Sequence, residues 1–160
     1  MTELYHVSEN GEIDAFEPRP PPSIVNGHTD PCVWAIDQKH LVNYLLPRDC
    51  PRVTCYAKAD TTVNDQIKIL GEETDRHLIA IESGWLQRCQ ETSIWIYQFS
   101  ADHFKSLDEG AGYYTSDQTV IPHSKKHITD CILELQKHPV ELRMLPNLWT
   151  LRDTVVESTL

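Results

Sequence analysis

Apolar residues along this chain come in short clusters separated by polar or proline breaks, and the period of each cluster predicts its element. Leu4, His6 and Ser8 alternate with Tyr5 and Val7, the two-residue period of a strand, and Asn10-Gly11 marks the turn after it. Val33, Trp34, Ala35 and Ile36 predict a short buried strand. From Asp37 the period changes. Leu41, Tyr44 and Leu45 fall on one helical face, Asp37 is placed to cap the start, and Pro47 stops the helix. Val53, Cys55 and Ala57 alternate again as a strand would. Residues 31–57 therefore form a strand, a helix, a proline-bracketed turn and a second strand, and the other elements are arranged about this segment. Before it, Ile13 and Phe16 pin a short turn, and Pro18, Pro20, Pro21 and Pro22 open a long polar loop.

Downstream, Thr61 or Thr62 caps a helix carrying Val63, Ile67 and Leu70, which Gly71 ends. Residues 78–82 predict a buried strand, and Trp85-Leu86 begins a short helix. Residues 93–99 are apolar on both faces, which predicts a central strand covered on both sides. Residues 101–107 predict one or two helical turns using Phe104 and Leu107. The flexible Gly110-Ala111-Gly112 leads into a strand over 113–116. An amphipathic helix is expected over 128–137, with Ile128, Cys131, Ile132 and Leu135 on its apolar face. A strand over 140–145 follows, then a last helix from Pro146-Asn147 with Leu148, Leu151, Val155 and Thr159 on one face. That pattern reaches Leu160 without a C-cap signal, which leaves open an extension past it or a frayed end. Irregularly interleaved strands and short helices predict one α+β domain over 1–160, with a mixed or mainly antiparallel sheet.

The formal net charge of −10 argues against an extended nucleic-acid or anionic-membrane surface, since both need positive potential. No apolar run reaches the length that spans a bilayer, and the acidic start at Met1-Thr2-Glu3-Leu4 does not read as a signal peptide. A cytoplasmic protein is expected. The odd, scattered cysteines Cys32, Cys50, Cys55, Cys89 and Cys131 predict reduced thiols, several in the core, rather than a disulfide framework. Oligomeric state is open.

The common phosphate-cradling glycine loops, a Gly-x-Ser-x-Gly elbow and any Cys-x-x-Cys pair are all absent. His123, His127 and Cys131 would stack on one face of an unbroken helix and suit zinc, but Pro122 places His123 at or before the helix start. Exposed histidines with a core cysteine is the favoured reading, and no metal is expected. His6 stands mid-strand with Ser8 on its face, where an imidazole can hold a ribose hydroxyl or phosphate oxygen, or bond within the sheet. Arg48 and Arg52 could clamp a phosphate or carboxylate, or brace the turn by pairing with Asp49 or Asp37. Cys50 lies between them, and a nucleophilic role for it would also need a base such as His6, His28 or His40. Tyr113, Tyr114 and Ser116 read as a ligand-facing strand or as ordinary edge tyrosines, and Asp108 or Glu109 could supply a carboxylate.

The stretches LYHVSENGEIDAFEPRPP, VWAIDQKHLVNYLLPRDCPRVTCYA, LIAIESGWL, AGYYTSDQTVIP and VELRMLPNLWTLRDTVVESTL resemble a family of small, mostly bacterial proteins catalogued as a domain of unknown function. More distantly, Tyr5-His6-x-Ser8 followed by the Val33-Trp34-Ala35 strand and a short helix is similar to the layout of the ADP-ribosyltransferase superfamily. That resemblance implies an ADP-ribosyltransferase-like fold with NAD, ADP-ribose or another nucleotide as the small-molecule ligand. It implies that His6 binds the ribose and that Trp34 or Tyr44 stacks on nicotinamide. The superfamily's catalytic acid has no clean match: the chain reads Gly112-Tyr113-Tyr114-Thr115-Ser116 there, with Glu109 and Asp117 offset. The expected site is thus His6 and Glu109 for chemistry, with Ser8, Trp34, Tyr44, Arg48, Arg52, Tyr113 and Ser116 lining the cleft. The competing expectation is a non-catalytic binding or interaction protein whose His and Arg groups are structural.

Overall fold

A computed structural model describes residues 3–73 and 75–160, so the expectation for Met1 and Thr2 lies outside the described residues. The chain is α+β, with short helices and strands that pair antiparallel except for one parallel contact. It gathers into two compact units. One is the chain up to Arg48 together with Ser93–Thr129; the other is Asp49–Thr92 with Asp130–Leu160.

The first unit is built on a six-stranded antiparallel sheet. Its strands are β1 (Glu3–Ser8), β2 (Val33–Asp37), β5 (Ile94–Ser100), β6 (Lys105–Asp108), β7 (Tyr113–Ser116) and β8 (Ser124–Ile128), in the order β6-β7-β2-β1-β5-β8. The register of β1 on β5 sets Leu4, His6 and Ser8 opposite Phe99, Tyr97 and Trp95. Cross-strand partners share a face, so these six side chains stand on one side of the sheet. The same face carries Val33 and Ala35 of β2, and Phe16 and Val120 close over it to form the core with Leu4, Tyr97 and Phe99. The long loop after β1 is tied down by bridges from Phe16 to Val120 and from Arg19 to Cys32.

The second unit has a three-stranded sheet, β3 (Arg52–Tyr56), β4 (His77–Glu82) and β9 (Val140–Leu145), with β4 in the middle and parallel to β9. Its helices are α1 (Val63–Leu70), α2 (Leu86–Glu91), α3 (Cys131–Leu135) and α4 (Trp149–Val156). Thr62 caps α1 by accepting from the Asp65 N–H, and Gly71 ends it at φ +85°. Cys55, Ile69, Leu70 and Leu78 form its core, with Leu151, Val155 and Leu160 packed on it.

Two expectations are corrected. The helix expected over 128–137 is confined to Cys131–Leu135, and Ile128, expected on its apolar face, ends the edge strand β8. Pairing with β5 and the stack of His127 on Trp95 (centroids 4.3 Å, planes within 6°) override the helical period, and Asp130 caps the helix only from Cys131 onward. His123, His127 and Cys131 therefore do not share a helix: His123 bonds the Glu3 carboxylate at 2.8 Å, and Cys131 is fully buried. Residues 105–108 form β6 against β7, leaving only a single helical turn at Ala101–His103. On α1 the buried residues are Ile69 and Leu70, while Val63 and Ile67 are exposed.

Candidate functional site

The sheet of the first unit opens between its two middle strands. β1 pairs with β5 over six positions, but with β2 over only two, Leu4 with Asp37 and Tyr5 with Ile36. At the next residue of β1 the His6 ring takes over from the backbone. Its Nδ1–H donates to the Trp34 carbonyl at 2.9 Å. This fixes the tautomer and makes Nε2 the acceptor, with no hydrogen-bond partner among the described residues. The ring leans on Phe16 with centroids 4.9 Å apart. Burial holds the His6 pKa below its ordinary value; the bond to the Trp34 carbonyl opposes that shift, and the positive charge of Arg48 adds to it. His6 is thus neutral near pH 7, wedged where two strands part.

Trp34 and Tyr113 lie on the opposite face. Pairing of Tyr5 with Ile36, and of Ile36 and Trp34 with Tyr113 and Thr115, puts these residues across the sheet from His6 and Ser8. The Trp34 ring meets Tyr113 at 5.7 Å and His28 at 6.1 Å, nearly perpendicular to both. Its Nε1–H is buried without a hydrogen-bond partner among the described residues. The Tyr44 hydroxyl donates to that of Tyr113 at 2.9 Å. Tyr44 therefore swings outward from its short 3-10 turn, Leu41–Tyr44, and is exposed, rather than buried with Leu41 and Leu45 as the helical period predicts.

The other expected residues are placed as follows. Arg48 is exposed; its main-chain N–H donates to the Glu9 carboxylate at 3.3 Å, and its guanidinium makes no hydrogen bond or ion pair among the described residues. Ser8 accepts from the Asn10 N–H, and Ser116 from the Gln118 N–H, so both hydroxyls shape local turns. Glu109 is exposed in the turn between β6 and β7, where its carbonyl accepts from Gly112. Arg52 belongs to the second unit, and its Nε–H donates to the Cys50 carbonyl at 3.1 Å. That bond stays within the proline turn and runs to a main-chain carbonyl, whereas the brace considered for this arginine is a pairing with Asp49 or Asp37. His6, Trp34, Tyr44, Arg48 and Tyr113 thus share one unit, with the His6 ring bonded to the Trp34 main chain, while the His6 ring and the Trp34 and Tyr113 rings stand on opposite faces.

Sequence reasoning missed the pairing of Asp37 with His40. Asp37 Oδ1 accepts from the His40 main-chain N–H (2.8 Å) and lies 2.7 Å from Nδ1 of the buried ring. Gly112 backs directly onto this pair at φ +69°, and its carbonyl accepts from the Asp37 N–H, so the hinge before β7 is anchored rather than loose. The signal was present: Asp37 is already placed as a cap, and a cap at that spacing bonds the residue three further on.

The second unit's broad, open depression, about 790 Å³, is lined by Glu72, Glu73, Asp75, Arg76, His138, Pro139, Val140 and Glu141. Arg76 is held there by Glu73 and Glu141. Among the described residues no three His, Cys, Asp or Glu side chains gather to hold a metal ion, and no helix is long and apolar enough to cross a membrane.

These features define an α+β protein with a split antiparallel sheet and a neutral histidine in the split. A family profile matches residues 5–160, and the chain belongs to that family, DUF6886, a family of unknown function. No curated protein and no solved structure matches it.

Proposed function

We propose that the chain is an ADP-ribosyltransferase-like domain that binds a ribose-containing nucleotide, NAD or ADP-ribose, where β1 and β2 part. The observation that carries this is His6. Its Nδ1–H is committed to the Trp34 carbonyl and its protonation is suppressed, so Nε2 is a fixed, neutral acceptor suited to a ribose hydroxyl. Arg48 adds an exposed cation that acts on the same ring and suits a phosphate. Trp34, Tyr44 and Tyr113 supply aromatic surface one strand away. Transfer, as opposed to binding, needs a carboxylate beside the ribose to stabilise developing positive charge, and the reading assigns that part to Glu109.

The competing reading is a non-catalytic protein in which His6 only repairs the ladder. Its specific support is the same bond to Trp34, together with the division of the rings between two faces. Thermal denaturation with NAD, ADP-ribose and AMP separates the two. Ligand at about 100 times its Kd adds about 2.7 kcal/mol, an expected rise of several degrees in Tm. The rise is expected to vanish in His6→Asn and to shrink in Arg48→Ala. No rise with any of the three overturns the proposal.

A further inference from the structure

The second unit holds two thiols in contact. Cys50, in the turn before β3, and Cys89, within α2, have their sulfurs 3.8 Å apart. Both are enclosed, Cys50 at 3% exposure and Cys89 at 0%. Their surroundings are unlike. The two thiols share a hydrogen bond in which either can donate, and the Cys50 thiol also reaches the Pro51 carbonyl at 3.6 Å. Cys50 stands within the field of Arg52 on β3 and Arg88 on α2, against one opposing carboxylate, Glu82 on β4, and its pKa is lowered. Cys89 has the Cys50 and Cys131 sulfurs as neighbours and keeps its proton. One sulfur is therefore disposed to be the thiolate and the other the proton donor beside it, the asymmetry a nucleophile and its resolving thiol need.

We infer that Cys50 is an oxidation site for hydrogen peroxide and that Cys89 resolves it to an intramolecular disulfide. The Cys50 thiolate attacks the outer oxygen of the peroxide; the O–O bond breaks, giving a Cys50 sulfenic acid and hydroxide. Cys89 loses its proton and its sulfur attacks Cys50 Sγ, which releases the sulfenic oxygen as a second hydroxide. With the two protons from the thiols the sum is one peroxide reduced to two waters and two thiols oxidised to one disulfide. The enclosure selects a small oxidant over a bulky disulfide. The sulfurs must approach from 3.8 Å to the bonded length of about 2.05 Å, and Cys50 stands outside any helix or strand, where such a shift disturbs least.

Cys32 and Cys55 lack this arrangement, and Cys131, the other sulfur beside Cys89, carries a bond of its own. Burial pushes the Cys55 thiol up to about 11, burial with the nearby Asp30 charge raises Cys32, and the Cys131 thiol donates to the Thr92 carbonyl at 3.7 Å. The full chain is treated with hydrogen peroxide, alkylated unfolded and mapped after trypsin. Cleavage after Arg48, Arg52, Arg88 and Lys105 isolates Cys50 on residues 49–52 and Cys89 on residues 89–105. The expected product joins these two peptides, is reversed by dithiothreitol, and forms at least about tenfold faster than oxidation of Cys55. Cys131→Ser should leave it intact, while Cys89→Ser should trap a dimedone-reactive Cys50. Cys89 joined to Cys131 instead, or Cys50 still alkylated in full after Cys55 has oxidised, overturns the inference; the wild-type map decides even where a variant fails to fold.

Discussion

Replacing His6 by asparagine and by alanine separates what the ring does for the sheet from what it offers a ligand. An asparagine amide can set an N–H where Nδ1–H stands and keep the bond to the Trp34 carbonyl, but it has nothing in place of Nε2. Alanine keeps neither. Loss of that bond leaves a partly buried carbonyl short of its donor, about 1–3 kcal/mol. Loss of the ring contact with Phe16, 4.9 Å between centroids, adds about 0.5–1.5 kcal/mol. Alanine is therefore expected to cost about 1.5–4.5 kcal/mol and asparagine about 0.5–1.5 kcal/mol. A pH signature accompanies this. The folded His6 pKa lies below the ordinary 6.5, so just below pH 6.5 the unfolded chain binds a proton that the folded chain refuses. The contribution is complete above pH 6.5 and is lost as pH falls below it, at up to about 1.4 kcal/mol per pH unit until the folded group also titrates. The asparagine variant lacks this loss, so its stability gap from wild type should narrow on acidification. Urea denaturation of all three proteins from about pH 7.5 to about pH 5 measures both effects. A gap that stays constant with pH, or an asparagine variant no more stable than the alanine one at the higher pH, would refute the assignment of His6 as a neutral bridge to Trp34.

Other outcomes test the frame around the site. Gly112→Ala should be severe, about 3 kcal/mol or more by urea denaturation: φ +69° is unfavourable for alanine, and the new Cβ would press on the His40–Asp37 pair. A variant within about 0.5 kcal/mol of wild type would mean the hinge is free to move. Asp130→Ala should cost about 1 kcal/mol through loss of the α3 cap, and asparagine should recover most of it. Cys55, at about 11, should resist alkylation at pH 8 in the folded chain, and equal labelling of folded and unfolded protein would contradict its enclosure.

The strands were legible wherever two-residue alternation or a dense apolar run coincided with a turn signal. The Leu4-to-Ser8 alternation, the Val33-to-Ile36 run and the Thr62–Gly71 brackets of α1 all correspond to what forms. The misses share a cause. Ser124 to His127 is polar, and Lys105 to Asp108 is nearly so; each is a strand because it lies at an edge of the six-stranded sheet, where a neighbour supplies the ladder. Local period cannot report a partner that is distant in sequence. Lysines on an edge also discourage further pairing, which explains why β8 carries Lys125 and Lys126 and so little apolar signal.

The site was legible as residue types and not as an arrangement, and parity explains the difference. Alternation along β1 groups His6 with Ser8, and alternation along β2 separates Trp34 from Val33 and Ala35. It cannot say which face of β2 joins which face of β1; that follows from Tyr5 lying opposite Ile36. A register shifted by one residue would have put Trp34 beside His6. As formed, the two rings meet only through a main-chain carbonyl at the point where the strands part. A ligand that used both would have to pass through that opening, whereas one that used His6 with Arg48 alone would leave Trp34 untouched. Trp34→Phe therefore separates these routes. It preserves most of the ring and the carbonyl that orients His6, so a lost nucleotide-induced rise in Tm would place the ligand through the split, and an unchanged rise would confine it to the His6 side.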